Sequence, residues 1–126
     1  MELLKVLFPK MKNILLCLLF TVFLFPHRTA ANDKLNTKRN SIINILAKVN
    51  NLNRKADLLN QLSEIETSDG QYKLAIHYGK QADSIAQKNN NLEGRFRASL
   101  NLGIAERKAE NYKNSLIYLN KAFFFC

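Results

Sequence analysis

From residue 50 onward, apolar positions recur three and four residues apart. Leu58, Leu59, Leu62 and Ile65 form one stripe, and Tyr72, Ala75, Ile76, Gly79, Ala82 and Ala86 a second. Phe96, Leu100 and Ile104, with Leu102 and Ala105, form a third, and Tyr112, Leu116, Leu119, Ala122 and Phe123 a fourth. This is the spacing of one helix face, and no stretch alternates with period two for long enough to predict a strand. Asn- and Asp-rich clusters, "NNLN", "SDG", "NNN" and "EN", separate the stripes and mark the turns. A first helix is expected over about Arg54–Ser68 and a second from the "DGQ" turn to about Lys88. Upstream, "DKLNTKRNSIINILAKVNN" reads as one further helix, over 33–50. Both prolines lie at or before Pro26, so nothing interrupts these helices.

The pattern repeats. Moving Asn50–Ala86 forward by 40 residues onto Asn90–Cys126 gives nine identities: Asn50/Asn90, Asn51/Asn91, Leu52/Leu92, Leu62/Leu102, Glu66/Glu106, Tyr72/Tyr112, Lys73/Lys113, Tyr78/Tyr118 and Ala82/Ala122. Small residues recur where two helices of a hairpin must approach: Ser63, Ala75, Gly79 and Ala82, then Gly103, Ser115 and Ala122. A glycine inside a helix costs about 1 kcal/mol against alanine, and close packing is the compensation expected here.

These residues resemble the tetratricopeptide repeat. The likeness rests on the Leu102-Gly103 pair in a first helix and on an aromatic after the turn, Tyr72 and Tyr112. Small residues seven apart in the second helix, Ala75 with Ala82 and Ser115 with Ala122, complete it. It covers residue 50 to the C-terminus. Leu59 and Ser99 stand at the family's tryptophan position, Glu66 and Glu106 at its tyrosine, no proline follows the second helix, and the period is 40 rather than about 34. The resemblance implies an all-α fold, a right-handed solenoid of helical hairpins with about five helices: a degenerate helix 33–50, a repeat over 50–89 and an incomplete one over 90–126. It also implies that a peptide or protein segment binds along the concave face, lined by the first helix of each hairpin. Carried onto this chain, that face holds Asp57, Asn60, Glu64 and Thr67 in one copy and Arg97, Leu100, Ile104 and Arg107 in the next.

The N-terminal part has a different character. Ile14–Phe25, "ILLCLLFTVFLF", is a twelve-residue run without charge, preceded by Lys10 and Lys12 and followed by small residues at Thr29 and Ala31. Basic flank, short apolar run and small-x-small site predict a secretory signal peptide over 1–31, read from Met1 or Met11. A membrane span needs about 20 apolar residues, so an uncleaved anchor is the weaker reading. The mature chain, 32–126, is then expected in the periplasm or outside the cell, with no membrane contact after cleavage. Signal peptide plus long-period repeats also resembles the N-terminal part of bacterial membrane-bound sensor kinases and regulators.

Charge and chemistry change this picture little. The whole chain carries +9, and residues 32–126 hold fifteen basic against nine acidic side chains, a net of +6. The bases are scattered and not interleaved with aromatics, so no nucleic-acid partner is expected. Cys126 has no second cysteine in the mature chain, so no intrachain disulfide forms there. His77 lacks a neighbouring ligand residue at metal spacing, Glu64 and Glu66 diverge around their helix, and the four glycines form no phosphate loop. Neither catalysis, metal nor cofactor is expected. The C-terminal "AFFFC" displays Phe123, Phe124 and Phe125 with no stop signal, and a further repeat or another chain is expected to cover them. A small structural protein that self-associates through this helix is the alternative to a binding module.

Overall fold

A computed structural model describes residues 29–126. They form five helices: α1 (Thr29–Leu46), α2 (Leu52–Ser68), α3 (Tyr72–Lys88), α4 (Leu92–Lys108) and α5 (Tyr112–Phe124). No strand occurs among the described residues. Contacts divide the chain at Asn36/Thr37, and residues 37–126 form one compact unit. The described part of the other unit, 29–36, is the beginning of α1. The predicted signal segment up to residue 28 lies outside the described residues, and its expected cleavage site near Ala31 falls in the first turn of α1. That helix ends at Leu46, a turn earlier than expected from sequence.

The all-α hairpin architecture is as expected. α2 packs on α3, α4 on α5, α3 on α4, and α2 beside α4. Its rhythm is finer than the 40-residue repeat, because α2, α3, α4 and α5 begin at 52, 72, 92 and 112. Each link between them closes in the same way. Gly70, Asn90 and Glu110 take positive φ of 79°, 52° and 64°. The next N–H reaches back to the helix just ended, Gln71 to the Glu66 carbonyl, Asn91 to Ala86 and Asn111 to Glu106, each at 2.8 Å. This is the helix-ending motif in which a left-handed residue lets two backbone N–H groups satisfy otherwise orphaned carbonyls. The asparagines then start the next helix: the Asn51 and Asn91 side chains accept from the N–H of Arg54 (2.9 Å) and Gly94 (2.8 Å).

The seams are built from the small residues. Ser63, Ala75, Ala82, Ser115 and Ala122 are all buried. A Cβ added at Gly79 would stand 2.9 Å from the Leu102 side chain, and one at Gly103 would stand 2.6 Å from Leu119. Leucines of one helix thus lie on the bare backbone of another, which is the packing that offsets the cost of a helical glycine. Both hairpins also carry one cross-helix hydroxyl bond, with its direction reversed. Ser63 Oγ on α2 donates to the Ala75 carbonyl on α3, and Ser115 Oγ on α5 donates to the Gly103 carbonyl on α4, each at 2.8 Å. Ser63 corresponds to Gly103 and Ala75 to Ser115, so the repeat preserves the bond while exchanging the donor. Leu58, Leu59, Leu62, Leu102 and Ala105 fill the core.

α1 is held to the first hairpin by charge as well as by Ile42, which is 5% exposed, and by Leu46 against Leu59, Ala82 and Ala98. Arg39 donates to Glu66 through Nε (2.6 Å) and Nη2 (3.2 Å), and through Nη2 to Asp69 (2.6 Å). The bonds to Glu66 lead the causes that hold the Arg39 guanidinium above its ordinary pKa, against the opposing pull of burial. Glu106, the counterpart of Glu66, is also buried, but Gly79 stands 40 residues after Arg39 and supplies no cation. Asn111 Nδ2 donates to Glu106 instead, at 2.9 Å.

At the C-terminus the three phenylalanines part company. Phe123 and Phe124 are 77% and 84% exposed, as expected. Phe125 is not displayed: it is half-buried, with the Arg95 guanidinium 4.5 Å over its ring.

Candidate functional site

The α2–α4 face is built from the same turn of each repeat. Because the helices lie side by side in register, equivalent residues meet: Asp57 and Arg97, 40 apart, pair through Oδ1 and Nη1 at 2.5 Å. Arg97 Nη2 also donates to Glu64 at 3.3 Å, and Asn101 Nδ2 donates to Glu64 and to the Asn60 carbonyl, both at 3.2 Å. Partial burial lowers the pKa of Arg97, but its bonds to Asp57 and Glu64 and their charges outweigh this, so the net shift is upward. Arg97 is therefore a fixed cation whose first role is to bind the two repeats together.

The residues expected on the concave face divide into three groups. Asp57, Glu64 and Arg97 form the ion-pair lattice just described, with Glu64 still exposed. Leu100, Ile104 and Arg107 follow one another along α4 at helical spacing. Leu100 is 36% exposed, Ile104 half-buried and Arg107 exposed, so this strip faces outward. Asn60 and Thr67 are buried, at 0% and 7% exposure. The Thr67 hydroxyl donates to the Ser63 carbonyl at 2.8 Å, which turns it back onto its own helix. Asn60 Nδ2 donates to the Gly94 carbonyl at 3.2 Å, while its Oδ1 is buried without a partner.

Asn60 also lines a polar cleft of about 190 Å3 between the N-terminal halves of α2 and α4, with Asn53, Asp57, Asn91, Glu93 and Arg97. That volume suits a side-chain-sized group rather than a whole small-molecule ligand, for which pockets run to roughly 300–1,000 Å3. Asn53 Oδ1 accepts from Asn89 (2.6 Å) and Asn91 (3.0 Å), so the rim is braced by the "NNLN" and "NNN" turns. Sequence reasoning took those asparagines as punctuation alone. Their pairing across the repeat joins residues 36 and 38 apart, for which a single copy of the pattern carries no signal.

Elsewhere, His77 is exposed and within 3.0 Å of Gln81. Among the described residues no three His, Cys, Asp or Glu side chains come together as a metal site, and no helix is long and apolar enough to cross a membrane. No family model, curated protein or solved structure matches the chain.

Proposed function

We propose that the chain is an exported protein-binding module of the tetratricopeptide type. It takes up a peptide or protein segment along the α2–α4 face, and no reaction is assigned to it. One observation carries this reading: helical spacing along α4 sets Leu100 and Ile104 on its outward side between two arginines, Arg97 and Arg107. A paired apolar strip flanked by cations, bordered by the polar cleft, offers one apolar anchor and several directional bonds. Peptide-binding grooves on helical scaffolds combine these two features. The exposed carboxylate of Glu64 adds an acceptor for N–H groups of a bound chain.

The test is a selection of displayed random peptides on the full chain, followed by affinity measurement for the best binders. Leu100→Asp places a charge on the strip at a site already in contact with water, so helix content by circular dichroism should not change. Affinity should fall at least tenfold with Leu100→Asp and stay unchanged with Lys80→Asp on the outer side of α3. Selected peptides that tolerate Leu100→Asp and are lost with Lys80→Asp would place binding on the other face.

A further inference from the structure

On α5 the side turned away from the core is largely apolar. At about 100° per residue, Tyr112, Phe123, Leu116, Asn120, Lys113, Phe124 and Ile117 fall within an arc of about 140°, and all are exposed. Towards the core lie Ser115, Leu119 and Ala122. An uncovered apolar patch of this kind marks a contact surface.

The repeat shows how much of the patch a further hairpin could cover. The first copy has a hairpin beside it, and there Tyr72, Ile76 and Asp83 are half-buried while His77 and Ser84 remain exposed. Their counterparts 40 residues on are Tyr112, Leu116 and Phe123 for the covered half, and Ile117 and Phe124 for the half left bare. Continuation of the pattern therefore accounts for only one side of the patch. Ile117 and Phe124, 56% and 84% exposed, need another occupant.

Charge identifies its kind. The outer side of α3 carries Lys73, Lys80 and Lys88, and that of α5 carries Lys113, all exposed and none in an ion pair among the described residues. The one carboxylate of the two helices, Asp83, is neutralised by Lys121 at 2.6 Å, a bond that also holds α5 beside α3. The surface is thus basic with projecting apolar side chains.

We propose that the outer face of α3 and α5 docks on an anionic lipid surface, with Ile117 and Phe124 entering the headgroup boundary and Lys73, Lys80, Lys88 and Lys113 facing the lipid charge. Amphipathic helices lie in a membrane interface by this combination, and lysines reach the headgroups while their stems cover apolar surface. Each lysine near an anionic surface strengthens partitioning by about fivefold. The sequence alone assigned no membrane contact to the mature chain, because only the stacking of the hairpins sets α3 beside α5, linked through Asp83 and Lys121.

The test uses the full chain with Cys17→Ser, labelled at the exposed Cys126 with an environment-sensitive fluorophore. The label sits two residues beyond Phe124, so it reports on the end of α5 whatever the N-terminal apolar segment does. Vesicles containing phosphatidylserine should shift its emission to the blue, and neutral phosphatidylcholine vesicles should not. Ile117→Ser with Phe124→Ser should abolish the shift with helix content intact, and Lys80→Gln with Lys113→Gln should weaken it about 25-fold. The proposal is overturned by an equal shift on neutral vesicles or by a shift that survives Ile117→Ser with Phe124→Ser. It is equally overturned if an acidic amphipathic peptide, or a rise in protein concentration without lipid, gives the shift and vesicles do not.

Discussion

Replacing Arg39 by methionine tests how the first hairpin is held to α1. The Glu66 carboxylate is 2% exposed and accepts two bonds from Arg39, whose own side chain is 17% exposed. Methionine fills much of the same volume and provides no donor, so Glu66 is left buried and charged beside an apolar side chain. Removing one partner of a buried pair costs about 3–5 kcal/mol, because the remaining charge has lost its compensation. The part-exposed position of Arg39 lets water reach the carboxylate, which places this case at the low end, about 3 kcal/mol. Against a total stability of about 5–15 kcal/mol for a domain of this kind, such a loss is large. Urea unfolding followed by circular dichroism should show a lower midpoint at unchanged slope. Arg39→Met with Glu66→Leu removes both charges and should recover most of the loss, since an apolar pair of similar shape is often as stable as the ion pair it replaces. A cost below about 1 kcal/mol for Arg39→Met, or a double variant as unstable as the two single ones combined, would show that the pair does not fix α1.

The three interhelical turns make a second set of tests. Gly70→Ala forces an L-residue into the left-handed region and should cost about 1–2 kcal/mol, although nothing lies within 4 Å of the new Cβ. Glu110→Gly relieves the same strain and should raise stability by about 1 kcal/mol in the same urea assay. Removing either cross-helix hydroxyl, Ser63→Ala or Ser115→Ala, should cost about 1 kcal/mol, and comparable values would confirm that the reversed bonds are equivalent. Gly103→Ala should destabilise by about 1–3 kcal/mol despite alanine's better helix propensity, because its Cβ meets Leu119 at 2.6 Å. Adding Leu119→Ala should then return part of that loss, and a thermal melt reads the order of the variants.

Much of this architecture was legible in the sequence, for physical reasons that single residues make plain. The stripe Leu58, Leu59, Leu62 and Ile65 could be buried together only on a helix, and all four are. The Asn-rich clusters marked the turns, but not that the Asn51 and Asn91 side chains would cap the helices that follow. The small residues marked Gly79 and Gly103 as places of close approach, though Gly79 is met most closely by Leu102 of the next hairpin rather than by its own. The left-handed link at Glu110 was not legible, since glutamate has no preference for that conformation and only its place 40 residues after Gly70 hints at it. Equally hidden was the bond from Arg39 to Glu66, because an arginine on a polar-looking helix gives no sign of which distant carboxylate it will meet. For the candidate site, helical spacing placed Leu100, Ile104 and Arg107 on one outward strip. It could not tell that Asn60 and Thr67, at the edge of the same face, would be buried, Asn60 against the Gly94 carbonyl of α4 and Thr67 with its hydroxyl turned onto Ser63.

Chemical-shift mapping locates the bound segment on the molecule residue by residue. The full chain, labelled with 15N, is titrated with a selected peptide while backbone and side-chain amides are followed. Shifts should concentrate on Glu64, Arg97, Leu100, Ile104 and Arg107, together with the Asn60 side-chain amide at the cleft, which places the segment on the α2–α4 face. Leu100→Asp should remove them. Shifts confined to the outer residues of α3 and α5, with the α2–α4 strip unmoved, would contradict that placement.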